Sequence, residues 1–269
     1  MLYSYSRLKC FRKCPLAYRY RYIDKIEVPE FETIESFMGS RVHEVLDSFY
    51  GEILKGKVPE MDEMLGMYHG LWDRHINPGV VVNRADESVP GFRTTGARCL
   101  EDYYNSYKPF DAAVILATEL KVRIDLLGDG KYNFVGYIDR LDAGCGGMYE
   151  IHDYKTGRDL PGQKKISSDE QLALYELGLR QNMREATDVE LVWHFLRHGK
   201  EIRSRRSNGD MGALKESLIS TVRKIEEAIV DDHFPAVRTN LCAWCDYQEV
   251  CSDVPGRKDY RQARLSSYP

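Results

Sequence analysis

The sequence has 269 residues, of which 43% are hydrophobic and 30% charged, and its formal net charge is −4. That balance excludes a mainly disordered chain and supplies enough apolar surface for a real core. The longest purely apolar run, Ala112 to Ala117, is far too short for a membrane span, and the slightly acidic balance offers no global basic field to a nucleic acid.

Taken in chain order, Ser4 to Tyr22 reads as a short helix and then an aromatic-basic stretch, with Ser4 or Ser6 as cap and Pro15 where the helix ends or restarts. The opening residues lack the apolar region of an export signal, so a cytoplasmic, reducing setting without a membrane partner is expected. Met38 to Lys57 is an amphipathic helix, with Val42, Val45, Leu46, Phe49 and Ile53 at helical spacing. Glu60 to Ile76 is a further helix. Asn77 to Arg93 is a loop broken by Pro78, Gly79, Pro90 and Gly91, and Thr95 to Tyr107 returns to helix.

The pattern then changes period. Ala113 to Asp125 reads as a strand, Gly128 to Lys131 as a hairpin turn and Tyr132 to Asp142 as the returning strand. Met148 to Tyr154 is a third strand and Asp169 to Gln181 a helix. Val189 to Arg197 and Lys200 to Arg206 form a second hairpin, followed by a long helix, Asp210 to Val230. With no internal repeat or low-complexity linker, one α/β core with a helical insertion is the simplest account.

Seven cysteines are an odd number, and without an export signal a disulfide framework is not expected. Cys242, Cys245 and Cys251 fall within ten residues, a density that suits a soft metal or an iron–sulfur centre. The fourth ligand must come from afar, and Cys10 and Cys14 are the candidates. Zinc sites use two local ligand pairs, so three thiolates plus a remote one suit a four-cysteine cluster better, with zinc the alternative. Cys99 and Cys145 read as buried small residues.

On the third strand Ile151, Asp153 and Lys155 share one face while His152 and Tyr154 share the other. Asp139 lies on the neighbouring strand. Two carboxylates meeting in a sheet repel unless a cation separates them, and Mg²⁺ or Mn²⁺ prefers such oxygen ligands. An ion there can hold a phosphate oxygen and activate a water, with Lys155 stabilising charge.

At these residues the sequence resembles the PD-(D/E)XK nuclease superfamily, in its RecB-like exonuclease branch. GYIDRLD and HDYKTG resemble two of its motifs, GSRVHEVLD its early-helix His, and QLALY its Gln-Tyr motif. SYSRLKCFRKCPLAYRY resembles the start of the members that carry an iron–sulfur cluster, among them the CRISPR-associated, AddB-type and exonuclease V types. The resemblance implies a single domain over 1–269: an α/β restriction-endonuclease-like core at 111–231, a helical region at 39–110, and an iron–sulfur lobe built from 1–30 and 232–269. It implies His43, Asp139, Asp153 and the Tyr154 carbonyl as ligands of Mg²⁺ or Mn²⁺, and Lys155, Glu119, Gln171 and Tyr175 as further active-site residues. It assigns Cys14, which precedes Pro15, with Cys242, Cys245 and Cys251 to a [4Fe–4S] cluster.

The expected activity is that of a metal-dependent DNA exonuclease on single-stranded ends, in CRISPR spacer acquisition with integrase proteins or in repair with other subunits. A non-catalytic DNA-binding scaffold is the alternative. Tyr18, Arg19, Tyr20 and Arg21, with Arg203 and Arg205 on the second hairpin, are expected to touch the nucleic acid. Ser6 to Lys9 and Lys155 to Gly157 also match two motifs of penicillin-binding enzymes, but no Ser-Asp-Asn element joins them.

Overall fold

The computed structural model describes residues 1–28, 32–82, 87–144, 147–240, 242, 245–251 and 253. Cys145 and the polar end beyond Asp253 lie outside them. A two-residue strand, β1 (Leu2–Tyr3), precedes helix α1 (Tyr5–Lys13), whose N-cap is Ser4. The Ser4 hydroxyl accepts the Arg7 N–H at 3.3 Å. The chain restarts at Pro15 as α2 (Pro15–Tyr18) and runs into a π-helical turn, Arg19–Ile23. Proline is tolerated there because the first turn has no partner for its missing N–H.

The helical region follows β2 (Glu32–Thr33) and comprises α3 (Ile34–Leu54), α4 (Met61–His75), β3 (Val80–Val81) and α5 (Val89–Tyr107). Two helix starts differ from expectation by four residues or more. Helix α3 starts four residues early, where Thr33 accepts the Ser36 N–H at 3.2 Å. Helix α5 starts within the expected loop: Ser88 caps it and Pro90 sits in its first turn, so the proline opens a helix rather than breaking one.

The sheet strands are β4 (Val114–Asp125), β5 (Asn133–Ala143), β6 (Tyr149–Lys155), β7 (Val189–Phe195) and β8 (Lys200–Ser204). Helices α6 (Gln163–Ser167) and α7 (Glu170–Asn182) link β6 to β7, and α8 (Asn208–Val230) follows the last strand. Short β1 and α6 were not visible in the pattern. The sheet is mixed. β4 runs antiparallel along one edge of β5, while β6 (antiparallel) and β1 (parallel) share its other edge. β6 pairs parallel with β7, and β7 antiparallel with β8.

One apolar cluster packs α1, α7 and α8 on the sheet through Leu8, Leu172, Leu174, Leu218, Val222 and Trp193. A second cluster holds α3, α4 and α5 together and reaches the sheet through Tyr154 and the turn after β7 through Leu196. Each fully buried large side chain contributes about 1.5–3 kcal/mol. Among the described residues no helix is long and apolar enough to cross a membrane.

Candidate active site

The middle of β5 and the end of β6 bring the two aspartates together. Their register pairs Arg140 with His152, which sets Asp139 across from Asp153. The Asp139 carboxylate accepts the backbone N–H of Tyr154 at 2.9 Å, so each strand fixes the other's acidic residue. Lys155 places its Nζ 2.6 Å from Asp153 Oδ2. From a half-buried position on α3, His43 reaches down with Nε2 at 2.9 Å from the Tyr154 carbonyl oxygen and Nδ1 at 3.4 Å from Asp139 Oδ2.

Glu119 completes the group. Donor atoms of His43, Glu119 and Asp139 all lie within 4.8 Å of one another. The backbone of Glu119 has φ +45°, a left-handed conformation that is costly in a strand residue with a side chain. Partial desolvation at the site and the nearby Asp47 carboxylate push the Glu119 carboxyl above its usual range. Burial and then the Asp153 charge push Asp139 well above its own. Two carboxylates, Glu119 and Asp139, are thus gathered around one imidazole, with Asp153 on the neighbouring strand held by Lys155, an arrangement whose repulsion a divalent cation relieves.

Helix α7 supplies the other wall. Asp169 caps it, accepting the N–H groups of Gln171 and Leu172 at 3.0 and 3.1 Å. Gln171 donates to the Tyr175 hydroxyl at 3.1 Å, the contact expected of residues four apart on a helix. The Tyr175 ring lies close against Gly136: a Cβ there would meet Tyr175 Cε1 at 2.2 Å. Gly136→Val should therefore displace Tyr175 and lower catalysis on the order of 10²-fold while far-UV circular dichroism stays unchanged. Wild-type turnover by that variant would remove Tyr175 from the reaction.

The opposite face of β5 and β6 carries a network that the sequence reading passed over. Arg140, 4% exposed, donates to the hydroxyls of Tyr103 and Tyr154 at 2.6 and 2.9 Å and grips Asp142 through Nε and Nη2, both at 3.0 Å. His152 lies 3.1 Å from Asp142 and 3.3 Å from Glu150, and its Nδ1 is 2.8 Å from His194. Burial, then His152 and Arg140, hold His194 well below the usual imidazole range, and it stays neutral. Asp142, Glu150 and His152 have the donors of a cation site, but the Arg140 guanidinium, 3.0 Å from the His152 ring, already supplies the positive charge. Arg140 and Asp142 are two apart, as are His152 and Tyr154; that alternation is the signal that could have revealed them.

The cysteines meet at the other end of the chain. Cys10, Cys14, Cys242, Cys245 and Cys251 line one cavity of about 130 Å³. Among the described residues no three of their sulfurs lie within 4.8 Å of one another, so they stand around a space rather than at a point. The backbone N–H of Val237 donates to Cys14 Sγ at 3.5 Å and that of Thr239 to Cys242 Sγ at 3.3 Å. Cys99 is buried in the helical region, and burial pushes its thiol up to about 11.

Most of the residues expected on the nucleic acid are spent elsewhere. Tyr18 is fully buried and presents no face to a base; its hydroxyl accepts from Arg7 at 3.1 Å. Arg19 pairs with Asp24 and Asp232 at 3.0 and 3.1 Å. Tyr20 donates to the Val250 carbonyl at 3.1 Å, and exposed Arg21 lines the cysteine cavity. Arg203 is held by Glu150, Glu190 and Glu201, and Arg205 by Asp188 and Glu190. The aromatic-basic stretch and the second hairpin therefore carry internal hydrogen bonds and ion pairs, while Arg21, Arg203 and Arg205 stay exposed.

The sequence matches the PD-(D/E)XK nuclease superfamily over residues 3–252, and the chain belongs to it. Its fold is similar to the crystal structure of a candidate exonuclease from Eubacterium rectale, with a TM-score of 0.54 and 13% identity over 97% of this chain and 91% of the other. A second solved structure, SSO0001, aligns over 93% of this chain and 94% of its own at 14% identity, with a TM-score of only 0.35. No curated protein matches the sequence at a significant level.

Proposed function

We propose that the protein is a divalent-metal-dependent deoxyribonuclease that works as an exonuclease on single-stranded DNA ends. The observation that carries this reading is the meeting of Asp139, Asp153 and Lys155 with His43, Glu119 and the Tyr154 carbonyl. That donor set, mostly hard oxygen with one imidazole, fits Mg²⁺ or Mn²⁺. Such an ion supplies a water of lowered pKa and a Lewis acid when bound. The chain's own part is to orient and to neutralise. Lys155, anchored on Asp153, points an ammonium at the attacking water and at charge building on the phosphate. Gln171 and Tyr175, joined by a hydrogen bond, hold the phosphate backbone against the site. The similarity to a candidate exonuclease supports attack from an end. The sequence resemblance extends the proposal to a setting, end-trimming in CRISPR spacer acquisition or in repair.

The test is a titration of Mg²⁺ and Mn²⁺ on oligonucleotides labelled at either end, single-stranded and duplex. Progressive, metal-dependent shortening of the single strand is expected. Binding without cleavage at any metal concentration would overturn the enzyme and favour the scaffold.

The cavity reading is a [4Fe–4S] cluster on Cys14, Cys242, Cys245 and Cys251. Three local thiols and a remote one, all lining a single cavity, suit a four-cysteine cluster better than the two local pairs of a zinc site. Hydrogen bonds from N–H to Cys14 and Cys242 are those that support thiolate ligands. Cys10 packs against the apolar core, whereas Cys14 accepts the Val237 N–H beside the C-terminal tail, which favours Cys14 as the fourth ligand. Protein purified without oxygen should be brown, with a broad band near ~400 nm. Cys242→Ser should lose the band and melt lower, since the centre ties α2 to the C-terminal tail. A colourless wild type with one equivalent of zinc would decide for zinc.

A further inference from the structure

We propose that the outer face of the β4–β5 hairpin is the track along which single-stranded DNA enters the active site, with Tyr137 as a base-stacking platform and Lys121 and Arg123 on the phosphates. The proposal rests on the deoxyribonuclease reading and adds to it the surface that selects an unpaired strand.

The hairpin itself gives the geometry. Along β4, Glu119, Lys121 and Arg123 are exposed, while Val122 and Ile124 between them are buried. On β5, Tyr137 is 48% exposed between Gly136 and Ile138, both buried. Lys121 pairs directly with Tyr137 in the register, and its ammonium lies 5.9 Å from the ring centre. Glu119 and Asp139, already joined in the acidic site, are each two residues from this pair. Two residues of strand span about 7 Å, so the ring and the cations begin where the carboxylates end.

Charge and chemistry single this face out. Arg19, Arg203 and Arg205 are all held by carboxylates. Among the described residues, neither Lys121 nor Arg123 is engaged in an ion pair, and both project into solvent beside a site built for a phosphodiester. A large aromatic face left in water on a strand next to that site is costly to leave bare and suits a base. A base can cover it only when it is unstacked, which duplex DNA does not offer. The face thus fits a single strand by chemistry, the cation and the ring each taking one part of a nucleotide.

The test uses full-length protein and a fluorescent oligothymidylate, with binding read by anisotropy in Ca²⁺ and cleavage in Mn²⁺. Tyr137→Ala should weaken binding about 5- to 20-fold and lower kcat/KM for the oligonucleotide to match, with Tyr137→Phe close to wild type. The double variant K121A/R123A should flatten the salt dependence, reducing the log–log slope by about 1.4 at about 0.7 per lost single-strand phosphate contact. Hydrolysis of bis(p-nitrophenyl) phosphate should be unchanged in all three variants, because the acidic site is untouched. If Tyr137→Ala and K121A/R123A bind the oligonucleotide like wild type while cleavage is normal, the track is refuted and the nuclease stands. If wild type hydrolyses neither substrate, the nuclease reading falls, and the anisotropy comparison alone decides whether the face binds DNA.

Discussion

Asp139→Asn should cleave single-stranded DNA about 10²–10³-fold more slowly than the wild type and yet melt at a higher temperature without metal. The two effects share one cause. Asp139 is gathered with Asp153 and Glu119 in a site where burial raises its carboxyl well above the usual range. A raised value in the folded state means that folding favours the protonated acid, so at neutral pH the ionised form costs stability. Asparagine removes that charge and keeps an oxygen to accept the Tyr154 N–H. Each kcal/mol relieved raises Tm by about 2–4 °C in a chain of this size. The sign also fixes the pH dependence. The gap between variant and wild type should open as pH rises through the raised Asp139 value and close on acidification toward the ordinary carboxylate range. Mn²⁺ should raise the wild-type Tm more than that of the variant, because the ion binds the native site. Lys155→Met separates the two roles: it should lose activity to a similar degree yet keep the Tm shift with Mn²⁺. A D139N protein with wild-type turnover would remove Asp139 from the metal site, and with it the proposed chemistry.

The acidic site was legible because its parts are local. Asp153 and Lys155 are two apart on one strand, Gln171 and Tyr175 four apart on one helix, and both spacings fix a shared face before any tertiary contact forms. Glu119 was less visible, since nothing in the sequence marks a strand residue that adopts a left-handed backbone. The start of α5 was hidden by Pro90 and Gly91, whose breaking signal is reversed when a serine caps the turn just before them. Surface roles were the least readable. YRYRY and the arginines of the second hairpin have the composition of a nucleic-acid contact, but composition does not say which carboxylate lies near. Glu150, Glu190 and Asp188 come from β6, β7 and the residue before it, brought beside Arg203 and Arg205 only by the sheet. Tyr137 lies inside GYIDRLD without a role of its own there, and its exposure becomes visible only with the strand in place.

Arg140→Met should lower the unfolding free energy by about 3–5 kcal/mol, the cost of breaking a buried ion pair on one side. Asp142 is 2% exposed and would be left with only His152 beside it. The hydroxyls of Tyr103 and Tyr154 would lose a charged donor in a place water does not reach. Apolar replacement of both partners is a smaller insult than replacement of one, so R140M/D142L should be more stable than R140M alone. The network bears on catalysis through a single residue. Tyr154 stands between Asp153 and Lys155, offers its N–H to Asp139 and its carbonyl to His43, and sends its ring to the opposite face, where Arg140 holds the hydroxyl. The back of the sheet thus pins the backbone that the front of the sheet uses. Well below its melting temperature, R140M should therefore show a reduced kcat and a weaker Mn²⁺-induced Tm shift. If it unfolds more easily but turns over normally once folded, the network stabilises the fold and does not position the site.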